Sequence, residues 1–236
     1  TLRAGRLRGP AIARRTGIPR GTVGHVLRRH GMGRLGPPQP RPPVCRYERG
    51  RPGELLHVDT KALGRIGTVG HRIHGDRTTR VRGIGWEHVH VCVDDASRLA
   101  YVEVVATNQQ HDTVAVLTRA VAWFAARGVR VERVMSDNGS AYLSRAFAAA
   151  CQQLGLRHLR TRPYTPRTNG KAERFIQTLL REWAYRRAYP SSQQRADALP
   201  GWLYFYNWER GHGALDGRPP ISRLLAARNN LVAVHT

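Results

Sequence analysis

Apolar residues follow two different periods along the chain from about residue 52 onward. In some stretches every second residue is apolar, which is typical of a strand with one buried face. In others, apolar residues recur every three or four positions, as on a helix packed against a core. The first kind of stretch predicts five strands: Leu55–Lys61, Glu87–Asp94, Ala100–Val105, Val129–Ser136 and Leu156–Leu159.

Three helices are predicted between and after these strands. His111–Arg127 has an amphipathic pattern and is followed by Gly128, and Ser144 can cap a helix that runs to Leu154. A third helix begins near Lys171 and has apolar residues at intervals of three and four, which predicts a buried stripe. The stripe comprises Ala172, Phe175, Ile176, Leu179, Leu180 and Trp183.

The element order is therefore three strands, a helix, a strand, a helix, a strand and a final helix. The turn at residues 95–98 joins the second and third strands as a hairpin, and the first three strands are expected to pair antiparallel. The later strands are connected through helices, which is typical of parallel pairing. This order predicts an α/β fold with the RNase H-like layout, in which one mixed five-stranded sheet has helices on both faces.

Residues 10–30 have the pattern of a helix-turn-helix. Pro10 suits the first position of a helix, and Gly17-Ile18-Pro19 separates this helix from a second one that begins near Arg20. The positions expected to face inward are Ile12, Ala13, Val23, Val26 and Leu27. In a DNA-reading version, the second helix would present five residues to a major groove: Arg20, Thr22, His25, Arg28 and Arg29. A short basic helical hairpin that does not read DNA is the alternative.

Proline is dense between Gly31 and Pro43, which favours an extended, semi-rigid linker. The chain begins at Thr1 without a methionine and few residues precede the first predicted helix, so we expect upstream residues to be missing. The aromatic run Trp202–Trp208 is interpreted as helix packing rather than base stacking. The predicted domains are a helix-turn-helix at 1–30, a linker at 31–51, an RNase H-like core at 52–190 and a helical extension at 191–236 that packs on the core.

The charge of the chain points to a polyanionic partner. It contains 39 Lys and Arg residues against 16 Asp and Glu residues, for a formal net charge of +23. Repulsion among so many positive side chains destabilises a compact chain unless nucleic acid neutralises them. A ribosomal or chromatin protein would also be basic. The long connection Ala62–Gly85 is rich in glycine and arginine. We expect it to be a DNA-contacting arm, with a plain solvated loop as the alternative.

The cysteines and the absence of targeting patterns indicate the compartment. Cys45, Cys92 and Cys151 are widely spaced and form no Cys-x-x-Cys, so the sequence indicates neither a disulfide framework nor a structural zinc site. The sequence shows no signal peptide and no apolar run near the length of a membrane span. We expect reduced thiols in a cytoplasmic protein.

Three carboxylates of this basic chain stand in positions suited to metal binding. Asp59 lies on the first predicted strand, and Asp137 lies at the end of the fourth. Glu173 lies in the first turn of the last helix. Strands and helices hold side chains on rigid backbones, and oxygen ligands suit hard cations such as Mg²⁺. We therefore expect the three acids to meet at one divalent metal site.

Each acid also has a plainer interpretation. Asp137 could form the turn at Asn138-Gly139, and Glu173 could complement the dipole of its helix. Asp59 is harder to explain in this way because a carboxylate within a strand costs free energy unless it is paired or bound to metal. Taken together, the three acids favour a catalytic site.

Basic residues accompany these acids. The chain has only two lysines, and each lies two residues from a candidate acid: Lys61 follows Asp59, and Lys171 precedes Glu173. An ammonium group is a compact point charge that suits a phosphate.

A basic loop at residues 160–167 leads into the last helix, and we expect it to move when DNA binds. Arg167 adds positive charge to this loop. Tyr164 could stack on an unpaired base, or it could pack against the edge of the sheet.

Several short motifs occur together in one known family. They are His57-Val58-Asp59, Cys92-Val93-Asp94-Asp95-Ala96-Ser97-Arg98, Ser136-Asp137-Asn138-Gly139, Arg162-Pro163-Tyr164-Thr165-Pro166, Asn169-Gly170-Lys171-Ala172-Glu173-Arg174, and Tyr206-Asn207 with Arg210, His212, Leu215 and Pro219-Pro220. On these motifs, over roughly residues 52–225, the chain resembles insertion-sequence transposases of the DDE class, which share a catalytic core with retroviral integrases. The 35 residues between Asp137 and Glu173 match the spacing typical of that family.

The resemblance implies a function, a cofactor and a partner. In such enzymes metal-activated water cuts at the ends of the element, and the freed 3′-hydroxyl then attacks target DNA. It implies that Asp59, Asp137 and Glu173 bind two Mg²⁺ or Mn²⁺ ions, and that Lys171 and Arg174 contact the DNA end. The partner would be double-stranded DNA, both terminal repeats and target, bound by a homodimer or higher oligomer in the bacterial cytoplasm, associated with the nucleoid. The chain lacks the zinc-binding His-His-Cys-Cys module of retroviral integrases, so the helix-turn-helix would recognise the ends.

Two other functions are weighed against this one. A non-catalytic helix-turn-helix protein derived from a transposase would have little need of three metal-binding acids. A plain RNase H-like nuclease acting on RNA–DNA hybrids would require neither the 35-residue spacing nor a DNA-reading module. Asp94 and Asp95 lie near the sheet, and we expect them to stabilise the hairpin turn rather than bind metal.

Overall fold

The chain folds as two units, Thr1–Tyr47 and Glu48–Thr236. The division falls inside the predicted linker, residues 31–51, and each unit has its own hydrophobic cluster. The computed structural model describes residues 2–3, 5–35, 48–67, 84–161 and 169–225 of the 236-residue chain.

The first unit contains two helices, α1 (Gly9–Thr16) and α2 (Arg20–Arg29). Gly17 ends α1 with a φ of 70°, in the left-handed region that favours glycine. Val26, which was expected to face inward, is instead 50% exposed. Val23 and Leu27 are four positions apart and therefore share the face of α2 that meets α1. The small core of this unit consists of Ile12, Ala13, Val23 and Leu27.

The second unit is built on one mixed sheet, as predicted. The strand order is β3-β2-β1-β4-β5, so β1 is central. Antiparallel pairs join β1 to β2 and β2 to β3, and parallel pairs join β1 to β4 and β4 to β5. The strands are β1 (Leu56–Gly64), β2 (Trp86–Asp94), β3 (Ala100–Val105), β4 (Arg133–Ser136) and β5 (Arg157–Arg160).

Helices cover both faces of this sheet, which confirms the predicted α/β fold. The other α-helices of the described residues are α3 (Gln110–Ala125), α4 (Arg145–Gln153), α5 (Gly170–Leu179), α6 (Ser192–Asp197) and α7 (Leu199–Tyr204). Alternation along β1 separates the two layers of core, because successive side chains of a strand point to opposite faces. Leu56 and Val58 pack with Phe124 of α3 and Phe147 of α4. Leu63 belongs to the other layer, with Val91, Phe175 of α5 and Trp202 of α7.

Two strands differ in length from the prediction by two residues or more. β1 continues past Lys61 to Gly64, where it pairs with Trp86 at the start of β2. β4 begins at Arg133 rather than Val129, because its parallel pairing with β1 starts only where β1 itself starts. Glu132 lies just before β4, and its N–H donates to the carbonyl of Gly53. The remainder of the predicted arm, residues 68–83, lies outside the described residues.

The C-terminal extension packs on the sheet layer that α5 occupies. A π-helical turn at Leu180–Ala184 follows α5, and a second one at Phe205–Glu209 follows α7. Tyr206 packs edge-on against Phe175, with ring centroids 4.8 Å apart. The buried side chain of Asn207 accepts a hydrogen bond from the N–H of Ala100 at 2.9 Å and donates to its carbonyl at 2.8 Å, so the extension also caps the start of β3.

No helix within the described ranges is both long and apolar enough to cross a membrane.

Candidate active site

Asp59 and Asp137 are carried by neighbouring parallel strands at the centre of the sheet. His57 of β1 pairs with Met135 of β4, and each acid follows two residues later. Because side chains alternate along a strand, Asp59 shares the face of His57, and Asp137 leaves the end of β4 on that same side. The register therefore places the two carboxylates next to each other.

Glu173 approaches this pair from the helix that covers the same face. It lies in the first turn of α5 and is exposed, while its neighbour Ala172 is fully buried against the sheet. α5 packs on β1 and β2 through its apolar stripe. The three acids thus lie on β1, directly after β4 and on α5, at one edge of the core layer between the sheet and α5.

The charge environment of Asp59 shows that the three acids sense one another. The pKa of Asp59 is raised to about 6. Burial is the largest cause, the hydrogen bond from the N–H of Thr60 opposes it, and the negative charges of Asp137 and Glu173 add to it. Like charges disfavour one another's ionised form over short distances only. Glu173 and Asp137 are therefore close enough to Asp59 for direct electrostatic coupling.

The donor set suits a hard divalent cation. Asp59 Oδ1 accepts a hydrogen bond from the N–H of Thr60 at 2.7 Å, and Asp137 Oδ1 accepts one from the N–H of Gly139 at 2.9 Å. Each aspartate thereby fixes one oxygen on the backbone and keeps its second oxygen available as a ligand, which is the oxygen chemistry that Mg²⁺ and Mn²⁺ select. Within the described part of the chain, no three His, Cys, Asp or Glu side chains are gathered tightly enough to hold a metal ion as they stand. Carboxylates that repel one another do not close around a common point without a compensating positive charge.

A buried hydrogen-bonded network lies beside the acids. His57 is fully buried, and its Nε2 lies 2.7 Å from Asp95 Oδ1. Its Nδ1 lies 3.1 Å from Oδ1 of Asn169, whose Nδ2 donates to the carbonyl of Val58 at 3.2 Å. Lys171 completes the network with an ion pair of 2.5 Å to Asp95 Oδ1.

The two aspartates of the hairpin turn have structural bonds. Asp94 accepts hydrogen bonds from the N–H and Oγ of Ser97 and from the N–H of Gly53, each at 2.7 Å. Burial would raise the pKa of Asp95, but hydrogen bonds from His57, Lys171 and the N–H of Arg49 outweigh it and hold the pKa below its usual range. Asp94 bonds Ser97 of the turn, as expected, whereas the donors to the Asp95 carboxylate all lie outside the turn.

Of the residues expected to contact DNA, some are exposed and others lie outside the described residues. Lys61 and Arg174 are exposed beside Asp59 and Glu173 in the chain, and α2 exposes Arg20, Thr22, His25 and Arg28. Tyr164 and Arg167 lie outside the described residues.

Lys171 differs from the expected DNA contact. Its ammonium is held by the carboxylate of Asp95 and also donates to the Asp95 carbonyl at 3.1 Å. The side chain is 19% exposed, and burial lowers its pKa against the opposing hydrogen bond to Asp95. A contact between this ammonium and DNA would require the ion pair with Asp95 to open.

The sequence reasoning missed the roles of His57 and Asn169. Both stood inside the motifs that were singled out, yet neither was assigned a function. No local signal marked His57, because alternation places it opposite Leu56 and Val58, on the face that also carries Asp59.

Comparison with known proteins identifies the family. The models of two families, both described as "Integrase core domain", match residues 51–166 and residues 154–220. Together they cover the sheet, α5 and most of the extension. The chain belongs to the integrase core domain family, and its core is of the insertion-element transposase and integrase type.

Two of the similar proteins carry names from mobile elements. The chain is 39% identical over 88 residues to the retrovirus-related Pol polyprotein from transposon TNT 1-94 of Nicotiana tabacum, covering 37% of this chain and 7% of that protein. It is 36% identical over 86 residues to an insertion element IS136 protein of Agrobacterium fabrum, covering 36% of this chain and 44% of the relative. The chain thus spans less than half the length of these relatives.

Solved structures share the fold. The catalytic core domain of BIV integrase matches with a TM-score of 0.52 and 19% identity, over 76% of this chain and 99% of that one. The HTLV-2 integrase catalytic core domain in complex with magnesium matches with a TM-score of 0.51 and 16% identity, over 74% of this chain and 98% of that one. The RNase H-like layout expected from the element order is therefore confirmed.

Proposed function

We propose that this protein is a DNA transposase, which cuts DNA at the ends of its element and transfers the resulting 3′-hydroxyl into target DNA. One observation carries the proposal. Asp59, Asp137 and Glu173 come from a central strand, its parallel neighbour and the covering helix, and they are electrostatically coupled there. A cluster of coupled carboxylates at one end of a sheet has no stabilising purpose of its own, and it suits phosphoryl transfer.

Asp59, Asp137 and Glu173 would hold the cofactor, two Mg²⁺ or Mn²⁺ ions. Such a cation pair would supply activation of the attacking oxygen and stabilisation of the leaving oxygen of the phosphodiester. The HTLV-2 integrase core, which shares this fold, is known in complex with magnesium, and that supports the choice of ion.

The chain's own residues would bind and orient the DNA. Lys61 and Arg174 are exposed cations next to candidate ligands in the sequence, where they could hold phosphates flanking the scissile bond. Tyr164 and Arg167 belong to the same proposal. Lys171 would join them only if its ammonium left Asp95, and we expect that ion pair to hold. The helix-turn-helix would dock on the terminal repeat through α2: its proposed contacts are Arg20, Thr22, His25 and Arg28.

The substrate is double-stranded DNA, both the element ends and the target. The net charge of +23 supports a polyanionic partner. Joining two ends to one target requires two active sites, so we propose a homodimer or higher oligomer on DNA.

A cleavage and joining assay tests the proposal. Purified protein is mixed with Mg²⁺ or Mn²⁺, a supercoiled target plasmid and a tiled set of labelled duplexes from the DNA that flanks the coding sequence. Wild type is compared with Asp137→Ala and with Asp197→Ala, which removes an exposed carboxylate from α6. We expect wild type and Asp197→Ala to nick and join, and Asp137→Ala to do neither.

DNA affinity separates this function from its competitor. Arginine contacts to phosphate supply most of the binding, so Asp137→Ala should bind the same duplexes as wild type does. Sequence-specific binding without any metal-dependent nicking by wild type would instead support a non-catalytic helix-turn-helix protein. Nicking that survives in Asp137→Ala would show that this aspartate is wrongly assigned.

A further inference from the structure

A buried polar network joins the three elements that surround the candidate active site. His57 lies on β1, Asp95 lies in the turn between β2 and β3, and Asn169 and Lys171 lie at the start of α5. His57 and Asp95 are 0% exposed and Asn169 is 3% exposed. The network is therefore part of the protein interior, at the base of a surface that carries the candidate acids.

Every polar group at the centre of this network has a partner. Asn169 donates from Nδ2 to the carbonyl of Val58, so its Oδ1 faces the ring of His57 as an acceptor. The other ring nitrogen faces the Asp95 carboxylate at 2.7 Å. Asp95 also accepts from Lys171 at 2.5 Å and from the N–H of Arg49 at 2.7 Å. A network satisfied in this way fixes each side chain in one orientation.

Such a network stabilises a fold less effectively than apolar packing would. Burying charged groups costs desolvation free energy that their mutual attraction often fails to exceed, and apolar side chains of similar volume would pack as well. The location of the network supplies a reason for it. His57 lies two residues before Asp59 on the same face of β1, and Lys171 lies two residues before Glu173 on the first turn of α5.

We propose that His57 and Asp95 are positioning residues for the proposed strand-transfer reaction. By bonding the start of α5 to β1 and to the hairpin turn, they fix the distance between Glu173 and the two aspartates. Neither residue touches DNA or metal in this role. The proposal rests on the proposed function, because positioning has meaning only where the acids act together.

A second buried ion pair in the same sheet provides a matched control. Arg195 is 1% exposed, bonds Glu87 Oε1 at 2.6 Å and donates to the carbonyl of Gly64 at 2.7 Å. Glu87 lies near the start of β2, whereas Asp94, next to Asp95, ends that strand. Glu87→Gln therefore removes a buried charge from the opposite end of the same strand, where the partner, Arg195, lies on α6 and not at the start of α5.

The experiment compares Asp95→Asn with Glu87→Gln. Four quantities are measured: the single-turnover rate of DNA cleavage at saturating DNA and divalent cation, the Kd for DNA, the Mn²⁺ affinity by isothermal titration calorimetry, and the melting temperature by circular dichroism. Rates and affinities are taken well below the lower melting temperature. A displaced ligand set should slow Asp95→Asn by roughly ten- to a hundredfold. The same variant should bind Mn²⁺ more weakly and DNA unchanged, and Glu87→Gln should lower the melting temperature alone.

The outcomes separate this proposal from the proposed function. The positioning role is wrong, while the transposase function stands, if Asp95→Asn cleaves DNA and binds Mn²⁺ as wild type does. The same conclusion follows if Glu87→Gln loses as much cleavage activity and Mn²⁺ affinity as Asp95→Asn does. If wild type neither cleaves DNA nor loses Mn²⁺ binding on Asp137→Ala, the function itself fails. Should Asp95→Asn not fold, His57→Gln is measured in its place, against the same control and with the same deciding outcomes.

Discussion

Asp59 and Asp137 continue the parallel register that pairs His57 with Met135, and their carboxylates emerge side by side on the face that α5 covers. This arrangement carries a cost. Burial and the charges of Asp137 and Glu173 raise the pKa of Asp59 to about 6, well above its ordinary value of 3.8. A site that is electrostatically unfavourable in the isolated protein is a common property of catalytic centres.

The first prediction concerns pH and stability. A carboxyl whose pKa is raised in the folded state binds its proton more tightly there than in the unfolded chain. Stability therefore falls as the pH rises from about 4 to about 6, and the loss is complete above that range. Asp59→Asn should remove this penalty and raise the free energy of unfolding at pH 7.5, by at most about 3 kcal/mol in the absence of divalent cations.

Chemical denaturation of the metal-free protein at pH 4 and pH 7.5 measures this difference. Asp216→Asn serves as the control, since Asp216 is an exposed aspartate whose positive φ of 55° asparagine also accepts. The gain of Asp59→Asn should nearly vanish at pH 4, where the carboxyl is protonated in the folded state and the pH lies close to its ordinary pKa of 3.8 in the unfolded chain. An equal gain at both pH values would assign the effect to packing instead of charge.

The second prediction concerns the metal. A cation that binds the folded protein alone stabilises it in proportion to the logarithm of its concentration above the Kd. Mn²⁺ should therefore raise the melting temperature of wild type, and a chelator should reverse the rise. Asp59→Asn lacks one ligand charge and should respond much less, as measured by differential scanning fluorimetry across a Mn²⁺ titration. Equal shifts in both proteins would place the bound cation elsewhere on the chain.

The sequence predicted the architecture well because its signals are local. Alternation and helical periodicity depend on neighbours along the chain, and they located all five strands and the helix that carries Glu173. The buried stripe of α5 was confirmed at Ala172, Phe175, Ile176 and Leu179. Strand ends were less accurate, because the length of β4 depends on where its partner β1 begins.

The network beside the acids was beyond that reasoning. His57 and Asn169 are 112 positions apart, and the bond between them exists only because α5 packs across β1. Lys171 shows the same limit, since its ammonium was expected at a phosphate and instead bonds a buried carboxylate in a distant turn. Such pairings depend on tertiary contacts that no local pattern encodes. The error at Val26 was local by contrast, because Val26 and Leu27 were both expected to face inward and only Leu27 is buried.

The third prediction concerns the helix-turn-helix. Arg20 begins α2 on its exposed side, whereas Arg14 is exposed near the end of α1. If α2 reads the terminal repeat, Arg20→Ala should weaken binding to that sequence by about 1–3 kcal/mol and bring specific and random duplexes closer in affinity. Arg14→Ala should weaken both duplexes alike. Fluorescence anisotropy with the two duplexes measures the ratio, and equal effects of the two substitutions would remove α2 as the reading helix.

The fourth prediction separates two roles for Lys171. Its ammonium bonds Asp95, which in turn bonds His57, so Lys171→Gln should slow DNA cleavage while the salt dependence of DNA binding stays as in wild type. Arg174 lies on α5 three positions after Lys171 and is exposed. Arg174→Gln should instead reduce the slope of log affinity against log salt by about 1, as the loss of one phosphate contact does. Both slopes come from titrations at several salt concentrations. A reduced slope for Lys171→Gln would show that the ion pair opens on DNA, because only a freed ammonium can displace counterions from a phosphate.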